Sequence, residues 1–426
     1  GWCVSVLIND FNELLSAAIK GSTADLPPVM PYSNYINWLK NIDREHSLGY
    51  WEGYLKGYAV PAEIPFKTRA VDTTYIEYSE RLEIGGAVFK QVDILCTALG
   101  ITHSTFMQGV WGYLLSRYNN TNDVVFGAVV SGRPADLAGV EDMIGLFINT
   151  IPVRVKYDVD TTAADLLKML QEQSIQGTSH HYMNLSEVQS QSEPGMDLMD
   201  HVMIFENYAV KELENEGVFN SREEEGLSIE SREVSDQSNY DFSILVTPSP
   251  VSLHLNIRYN SNRYDTRSFK QLVNHIDTVI KAFVQNADQS LTALDYVSEE
   301  EKDKQLFTFN DTAVAYPKDK TIVDLFEEQV AKTPDHIAIV FENTKLTYRE
   351  LNERSNQLAH YLMDNYNIQP DDLIGIQLER SEWMIVAILG VLKSGGAYVP
   401  IDPEYPSSRK EYIVKDSAIA LLITEA

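Results

Sequence analysis

Cysteine is nearly absent from this chain: Cys3 and Cys96 are the only two in 426 residues. No disulfide framework can be built from them, and two lone thiols suit a reducing compartment. Neither stands beside a basic motif, so both read as small buried hydrophobes rather than reactive groups. Basic residues are also scarce, with 34 Lys and Arg against 62 Asp and Glu and a formal net charge of −28. So acidic a surface excludes general binding to nucleic-acid phosphates. No apolar run reaches the roughly 18 residues of a membrane-crossing helix, and the opening GWCVSVL is not the basic leader of a signal peptide. The common catalytic signatures are missing too. There is no G-x-G-x-x-G after a strand, no G-K-[ST] phosphate loop, no G-x-S-x-G elbow and no H-E-x-x-H.

What remains is the composition of a folded protein, 44% hydrophobic and 23% charged. The length calls for two or three lobes. Val4, Leu7, Ile8, Phe11, Leu14, Leu15, Ala18 and Ile19 recur at helical spacing and predict an opening helix. STFMQGVWGYLLSRY predicts a core helix with Phe106, Met107, Val110, Trp111, Leu114, Leu115 and Tyr118 on one face. DVVFGAVVSGR is a continuous apolar run, the mark of a strand buried on both faces. IGLFINTIPVRV reads as a second strand, TAADLLKMLQEQS as a helix, and HVMIFEN and YDFSILV as further strands. SLHLNIRYN alternates, with Leu253, Leu255, Ile257 and Tyr259 against His254, Asn256, Arg258 and Asn260. A helix near 266–285 closes this part, and the acid-rich stretch from Lys211 to Asp236 reads as a solvated loop or hairpin arm. Residues 286–320 are polar and without apolar period, a linker. Beyond them TIVDLFEEQVAK, IAIVFE, LTYRELNERSNQLAHYL, DLIGIQL, SEWMIVAILGVLKSG and AYVPID alternate helix and strand, as at the start of a second α/β domain. Thr347 and Glu350 form a T-x-x-E capping box. Both ends of the chain read as cuts through longer elements.

Four polar features invite a chemical reading. His180–His181 is the only adjacent histidine pair, yet Ser179, Ser186 and Glu187 around it make neither a nucleophile relay nor a metal set. It reads as a packing or surface pair. In KSGGAYVP the glycines lead into a strand rather than a helix, which favours a tight turn over a phosphate cradle. SGRP either positions an anion through Arg133 or simply turns the chain. Asn149 is polar inside an apolar strand, and both a core hydrogen-bonding role and a site role stay open.

Longer motifs point to a family. SGRPADLAGVEDMIGLFINTIPVRV resembles the fifth signature of nonribosomal peptide synthetase condensation domains, I-G-x-F-[VI]-N-T-x-P-x-R. YSNYINWL resembles their Y-x-D-[YF]-A-x-W motif, with Asn34 where Asp is usual. SHHYMNLSEV stands where the family has H-Q-[DH]-x-P-[FL]-E, His180 on its first His and Glu187 on its last Glu, and SNYDFSILV resembles the last motif. LTYREL and LKSGGAYVPID resemble the first two signatures of the amino-acid adenylation domain.

The resemblance implies an α/β fold: a chloramphenicol acetyltransferase-like condensation-domain lobe followed by the N-terminal part of an adenylate-forming (ANL-type) domain, both truncated. The expected divisions are 1–288 for the condensation part, 289–320 for a linker and 321–426 for the adenylation part. Implied for the parent is amide formation between carrier-bound aminoacyl and peptidyl thioesters, plus activation of an amino acid with ATP and Mg²⁺. The implied partners are peptidyl carrier domains bearing phosphopantetheine and an amino acid substrate, with no nucleic acid and no membrane, in the cytoplasm. The family's catalytic histidine is the second of H-H-x-x-x-D-G. That motif is expected just upstream of Gly1, so no catalytic residue, metal ligand or ATP-binding residue is expected in this chain, the ATP loop lying beyond Ala426. Gly1, Trp2, Ser131, Arg133 and Asn149 are the implied substrate-tunnel candidates. A lone lobe of this kind is expected to be inactive alone and, because it exposes an apolar face, poorly soluble. The alternatives are a carrier-docking or scaffold module without catalysis, and a CoA-dependent acyltransferase-like protein.

Overall fold

The computed structural model describes residues 3–26, 28–68, 74–206 and 239–425. Gly1 and Trp2 lie outside the described residues, as does the acid-rich stretch 211–236. The chain divides into two compact units, Gly1–Asn310 and Asp311–Ala426.

The first unit is built on a mixed six-stranded sheet. Its strands are β1 (Glu77–Gly85), β2 (Asp123–Val130), β3 (Asn149–Lys156), β4 (Val202–Phe205), β5 (Phe242–Pro248) and β6 (Ser252–Asn260), in the order β1-β6-β5-β4-β2-β3. β4 runs parallel to both β2 and β5, and the remaining pairs are antiparallel. The apolar run of β2 is buried from Val124 to Ala128, as a strand between two neighbours requires. β6 keeps its alternation as far as Tyr259, burying Leu253, Leu255, Ile257 and Tyr259 and exposing His254, but Asn260, expected on the polar side, is buried, its Nδ2 donating to Asp241 Oδ1 at 2.9 Å.

Helices of this unit are α1 (Val4–Lys20), α2 (Tyr32–Lys40), α3 (Arg44–Leu55), α4 (Gly86–Leu99), α5 (His103–Tyr118), α6 (Ala163–Gly177), α7 (Leu185–Gln189), α8 (Thr266–Gln285) and α9 (Glu299–Leu306). α5 departs from the expected one-faced helix. It is buried nearly all round, Thr105, Gly109, Gly112, Tyr113 and Ser116 included, because α6, α8, β2 and β3 all pack on it. Gly112 permits the approach to β3, since a Cβ there would lie 2.2 Å from Val155 Cγ2. Polar groups buried in this unit find partners, Arg154 and His201 among them. The Arg154 guanidinium donates to both Asp123 oxygens at 2.8 and 2.6 Å, and to the carbonyls of Tyr54 and Lys56. The fully buried His201 accepts from Trp111 Nε1 at 2.9 Å and pairs through Nδ1 with Asp200 at 2.7 Å.

The polar run after α8, expected to be a linker throughout, belongs to the first unit as far as Asn310. Leu291 and Leu294 are buried, and the Tyr113 hydroxyl donates to Leu294 O at 2.6 Å. α9 is tied down by Glu301, 2.8 Å from Nε2 of the buried His275, whose Nδ1 lies 2.6 Å from the Tyr118 hydroxyl.

In the second unit α10 (Ile322–Lys332) precedes a hairpin of β7 (Ile337–Phe341) and β8 (Thr344–Thr347), which leads into α11 (Tyr348–Tyr366). A parallel three-stranded sheet follows, with β9 (Leu373–Gln377) between β10 (Ala397–Pro400) and β11 (Leu421–Thr424). α12 (Glu382–Lys393) and α13 (Ser407–Ser417) make the crossovers. The capping box of α11 is formed, with Thr347 Oγ1 accepting from Glu350 N and Glu350 Oε2 from Thr347 N. Among the described residues no helix is long and apolar enough to cross a membrane.

Candidate functional site

The chain leaves β2 through Ser131, Gly132 and Arg133 and re-enters the sheet at Asn149, which pairs with Val130 in the β2–β3 ladder. Three of the five candidates, Ser131, Arg133 and Asn149, thus meet at one end of two adjacent strands. Gly1 and Trp2 lie outside the described residues, but their neighbour Cys3 reaches the same place.

Gly132 has φ +62°, and a Cβ on it would stand 1.8 Å from Phe147 O. Only glycine lets the outgoing and returning chain come so close. The Ser131 hydroxyl accepts a long bond from Arg133 N at 3.4 Å. The Arg133 guanidinium is the hub of the loop. It donates to Val140 O, to Met143 O at 2.9 Å and to Cys3 Sγ at 3.4 Å, and it lies over the Phe147 ring, 4.2 Å from the centroid. Both terminal nitrogens are therefore engaged with protein groups. Arg133 braces a loop, with three of its five N–H donors spent on Val140 O, Met143 O and Cys3 Sγ.

That brace corrects two expectations. IGLFINTIPVRV is not strand throughout: Ile144–Ile148 lie before β3, because Gly145 is pressed against the Tyr32 ring and Leu146 O takes the Tyr32 hydroxyl at 2.6 Å. Cys3 is not a buried hydrophobe either. It is half-buried, with Sγ donating to Gly145 O at 3.3 Å. Cys96 does fit that reading, since burial, helped by Asp93, pushes its thiol up to about 12.

The YSNYINWL motif packs on the same loop. Tyr35 on α2 joins Val140, Met143 and Phe147 in a small separate core, and Trp38 Nε1 donates to Asp136 Oδ2 at 3.2 Å. Asn34, at the departure from the family pattern, is half-buried on α2.

Asn149 donates through Nδ2 to His181 O and to Met183 O, each at 2.7 Å. It therefore holds the histidine segment against β3, and its amide is hydrogen-bonded as a polar group in a strand should be. His180 is buried. Its Nδ1 lies 3.0 Å from the Ser47 hydroxyl, its ring stacks 4.2 Å from Tyr50, and its carbonyl accepts from Trp51 Nε1. Burial, with His46 nearby, lowers its pKa, and burial with His180 nearby takes His181 down to about 4. Imidazoles that weakly basic are neutral near pH 7 and poor acceptors of an amine proton. Glu187, last in the same motif, pairs with Arg44 across α7 and α3.

In the second unit the KSGGAYVP glycines make a helix-to-strand turn. Gly395 (φ +88°) donates to Leu392 O and Gly396 to Val391 O, so these amides close α12 instead of facing a ligand. Lys393 is buried at that helix end, 2.6 Å from Asn356 Oδ1 and 3.5 Å from Glu327.

The arrangement can hold a wall and set its shape; it offers no group tuned to move protons near pH 7. The Condensation domain family matches residues 1–306, and the AMP-binding enzyme family matches residues 326–426. The chain is 40% identical over its full length to bacitracin synthase 3 of Bacillus licheniformis, of which it covers 7%. To gramicidin S synthase 2 of Brevibacillus brevis it is 38% identical, again over its full length, covering 9%. It thus spans only a small part of the curated relatives it matches. Among solved structures it is similar to a four-domain nonribosomal peptide synthetase bound to AMP and glycine, with TM-score 0.76 and 21% identity over all of this chain and 33% of that one. It is also similar to the X-domain from teicoplanin biosynthesis, with TM-score 0.57 and 16% identity over 69% and 68%. Both likenesses bear on the fold. The chain belongs to the condensation-domain family of nonribosomal peptide synthetases, and from residue 326 it carries the beginning of an AMP-binding enzyme domain.

Proposed function

We propose that the first unit supplies one wall of a condensation site in which a carrier-bound aminoacyl amine attacks the thioester of a carrier-bound donor, releasing the donor's phosphopantetheine thiol as the amide forms. The observation that carries this reading is the full-length identity to peptide-antibiotic synthetases, running through both units in one order. Ser131, Arg133 and Asn149, with Gly1 and Trp2, are the proposed tunnel wall near the reacting atoms. Their task is placement: holding two tethered reactants in register can lower a barrier by roughly 7 kcal/mol or more. The proton from the amine needs another acceptor, because His180 and His181 are engaged or weakly basic and the sequence contains no H-H-x-x-x-D-G.

Residues 321–426 are read as the start of a domain that activates an amino acid with ATP and Mg²⁺; of the connector expected at 289–320, only 311–320 lies outside the first unit and keeps that reading. The turn at Gly395–Gly396 does not fit a triphosphate, its amides being taken by α12, and no ATP step is derived from this chain. A reaction that draws on ATP and on free phosphopantetheine thiols belongs in the cytoplasm. The partners are peptidyl carrier domains and the amino acid that the second domain selects.

The test uses the whole chain with two carrier domains, each loaded with an aminoacyl-phosphopantetheine. Saturable carrier binding, weakened by Arg133→Ala, with no dipeptidyl thioester in the intact-mass spectrum, is the expected result. Absence of carrier binding would overturn the placement role. Dipeptide formation abolished by His181→Ala would overturn the exclusion of the histidine pair.

A further inference from the structure

α9 has no apolar hold on the unit it belongs to. None of its eight residues is buried, and only Glu301 and Lys302 are even half-buried. Its single apolar side chain, Leu306, is 62% exposed. A helix this short is marginal in water on its own, so contacts outside it must keep it formed. Lys302 meets Asp295 and Glu299 at 2.7 Å each, but both carboxylates are exposed, and surface pairs of this kind hold little. Glu301 alone reaches inward. Its Oε2 lies 2.8 Å from Nε2 of His275 on α8, and behind that ring the Tyr118 hydroxyl of α5 lies 2.6 Å from Nδ1. Burial holds the Tyr118 phenol above its usual range, so it keeps its proton. With the ring proton on Nε2, the phenol donates to Nδ1 and the imidazole donates to Glu301, which satisfies all three groups. The phenol is also steered. Phe66, at φ +76°, a backbone region that bulky side chains rarely adopt, sets its ring edge-on to Tyr118 at 5.6 Å.

We propose that Glu301 is a releasable clasp that sets how much free chain joins the two units. Clasped, the free chain is 311–320, all of it exposed and outside any helix or strand. Unclasped, α9 has no other firm hold and melts, and the free chain runs from Glu299 to Lys320. The span of a flexible chain grows as the square root of its length, so the reach grows by roughly half. Opening exposes almost no apolar surface, because Leu291 and Leu294, which anchor the preceding stretch, stay buried. Segments held by few apolar contacts are the ones that open without the rest of the fold. Tyr118 and His275 belong to the core and stay in place as the fixed half of the clasp.

The test is amide hydrogen exchange and small-angle scattering of the whole chain, diluted until monomeric, as the native protein, Glu301→Ala and Lys302→Ala. In the native chain the amides of 302–307 should exchange more slowly than those of 311–320. Glu301→Ala should speed exchange across 302–307 about tenfold or more, leave α5 and α8 protected, and raise the radius of gyration. Lys302→Ala, which removes only the surface pair, should leave both readings near native. Unchanged exchange in Glu301→Ala would overturn the clasp. Loss of protection through α5 and α8 would make Glu301 a piece of the core rather than a release. Faster exchange of α9 at an unchanged radius of gyration would overturn its hold on the length of the connection.

Discussion

Asn149 donates to two carbonyls of a segment that begins 32 residues further along the chain, and nothing else described takes those two oxygens from β3. Asn149→Ala leaves both without that donor in a half-buried place. We expect a loss of about 2–3 kcal/mol in urea unfolding of the whole chain. Asn149→Asp should be worse at neutral pH, because it turns a donor into a charge facing two carbonyls. Gly132→Ala is the harsher change. Its Cβ collides with a backbone oxygen 1.8 Å away, which no side-chain movement relieves. A loss of more than about 3 kcal/mol, or failure to fold, is expected in the same assay. His181 sets a pH dependence. Its folded pKa, about 4, lies below the ordinary value of 6.5. The unfolded chain therefore binds the extra proton first, and stability is full above pH 6.5 and falls as pH drops toward 4. The whole effect is at most roughly 3 kcal/mol. It should appear as a difference in Tm between the native chain and His181→Phe that narrows from pH 7 to pH 4; a constant difference would contradict it.

Thr347 and Glu350 show how far a local pattern can be read. The T-x-x-E spacing predicts a helix start, and Thr347 caps α11 as the spacing requires. Hydrogen bonds from Thr347 hold Glu350 below the usual carboxylate range, so the cap stays ionised into mild acid. Thr347→Ala should cost the second unit about 1 kcal/mol, seen as a lower denaturation midpoint. β2, β6 and α8 were legible for the same reason: each carries its period without outside help. β1 and α4 were not legible. β1 is an edge strand whose Glu77, Glu80, Arg81 and Glu83 hide the strand period under charge, which is how exposed edges avoid unwanted pairing. Ile144–Ile148 misled in the opposite sense. Their apolar run looks like strand, but Tyr32 and Arg133, both distant in sequence, hold that stretch as loop. Of the site, the gathering of Ser131, Arg133 and Asn149 followed from the motif. The inward grip of Arg133 and the thiol of Cys3 depend on contacts that no spacing announces.

Taken whole, the molecule is two units joined by a stretch, 311–320, whose residues are all exposed and outside any helix or strand. Limited trypsin digestion should cut early after Lys318 or Lys320 and release the two units, as read by mass spectrometry; survival of this stretch would contradict the division. On the first unit, Leu7, Phe11 and Leu14 form an exposed apolar stripe along α1, with Phe11 61% exposed. We expect the chain to self-associate through it, and Phe11→Lys to reduce the scattering mass at a given concentration. The order of the large sheet has a consequence in time. β1 ends at Gly85, but its partner β6 begins at Ser252. A ribosome adding roughly 5–20 residues per second needs about 10–30 s to cover that gap. For all of that interval the nascent β1 must stay dissolved without a neighbour, and a strand written in glutamate and arginine is suited to the wait.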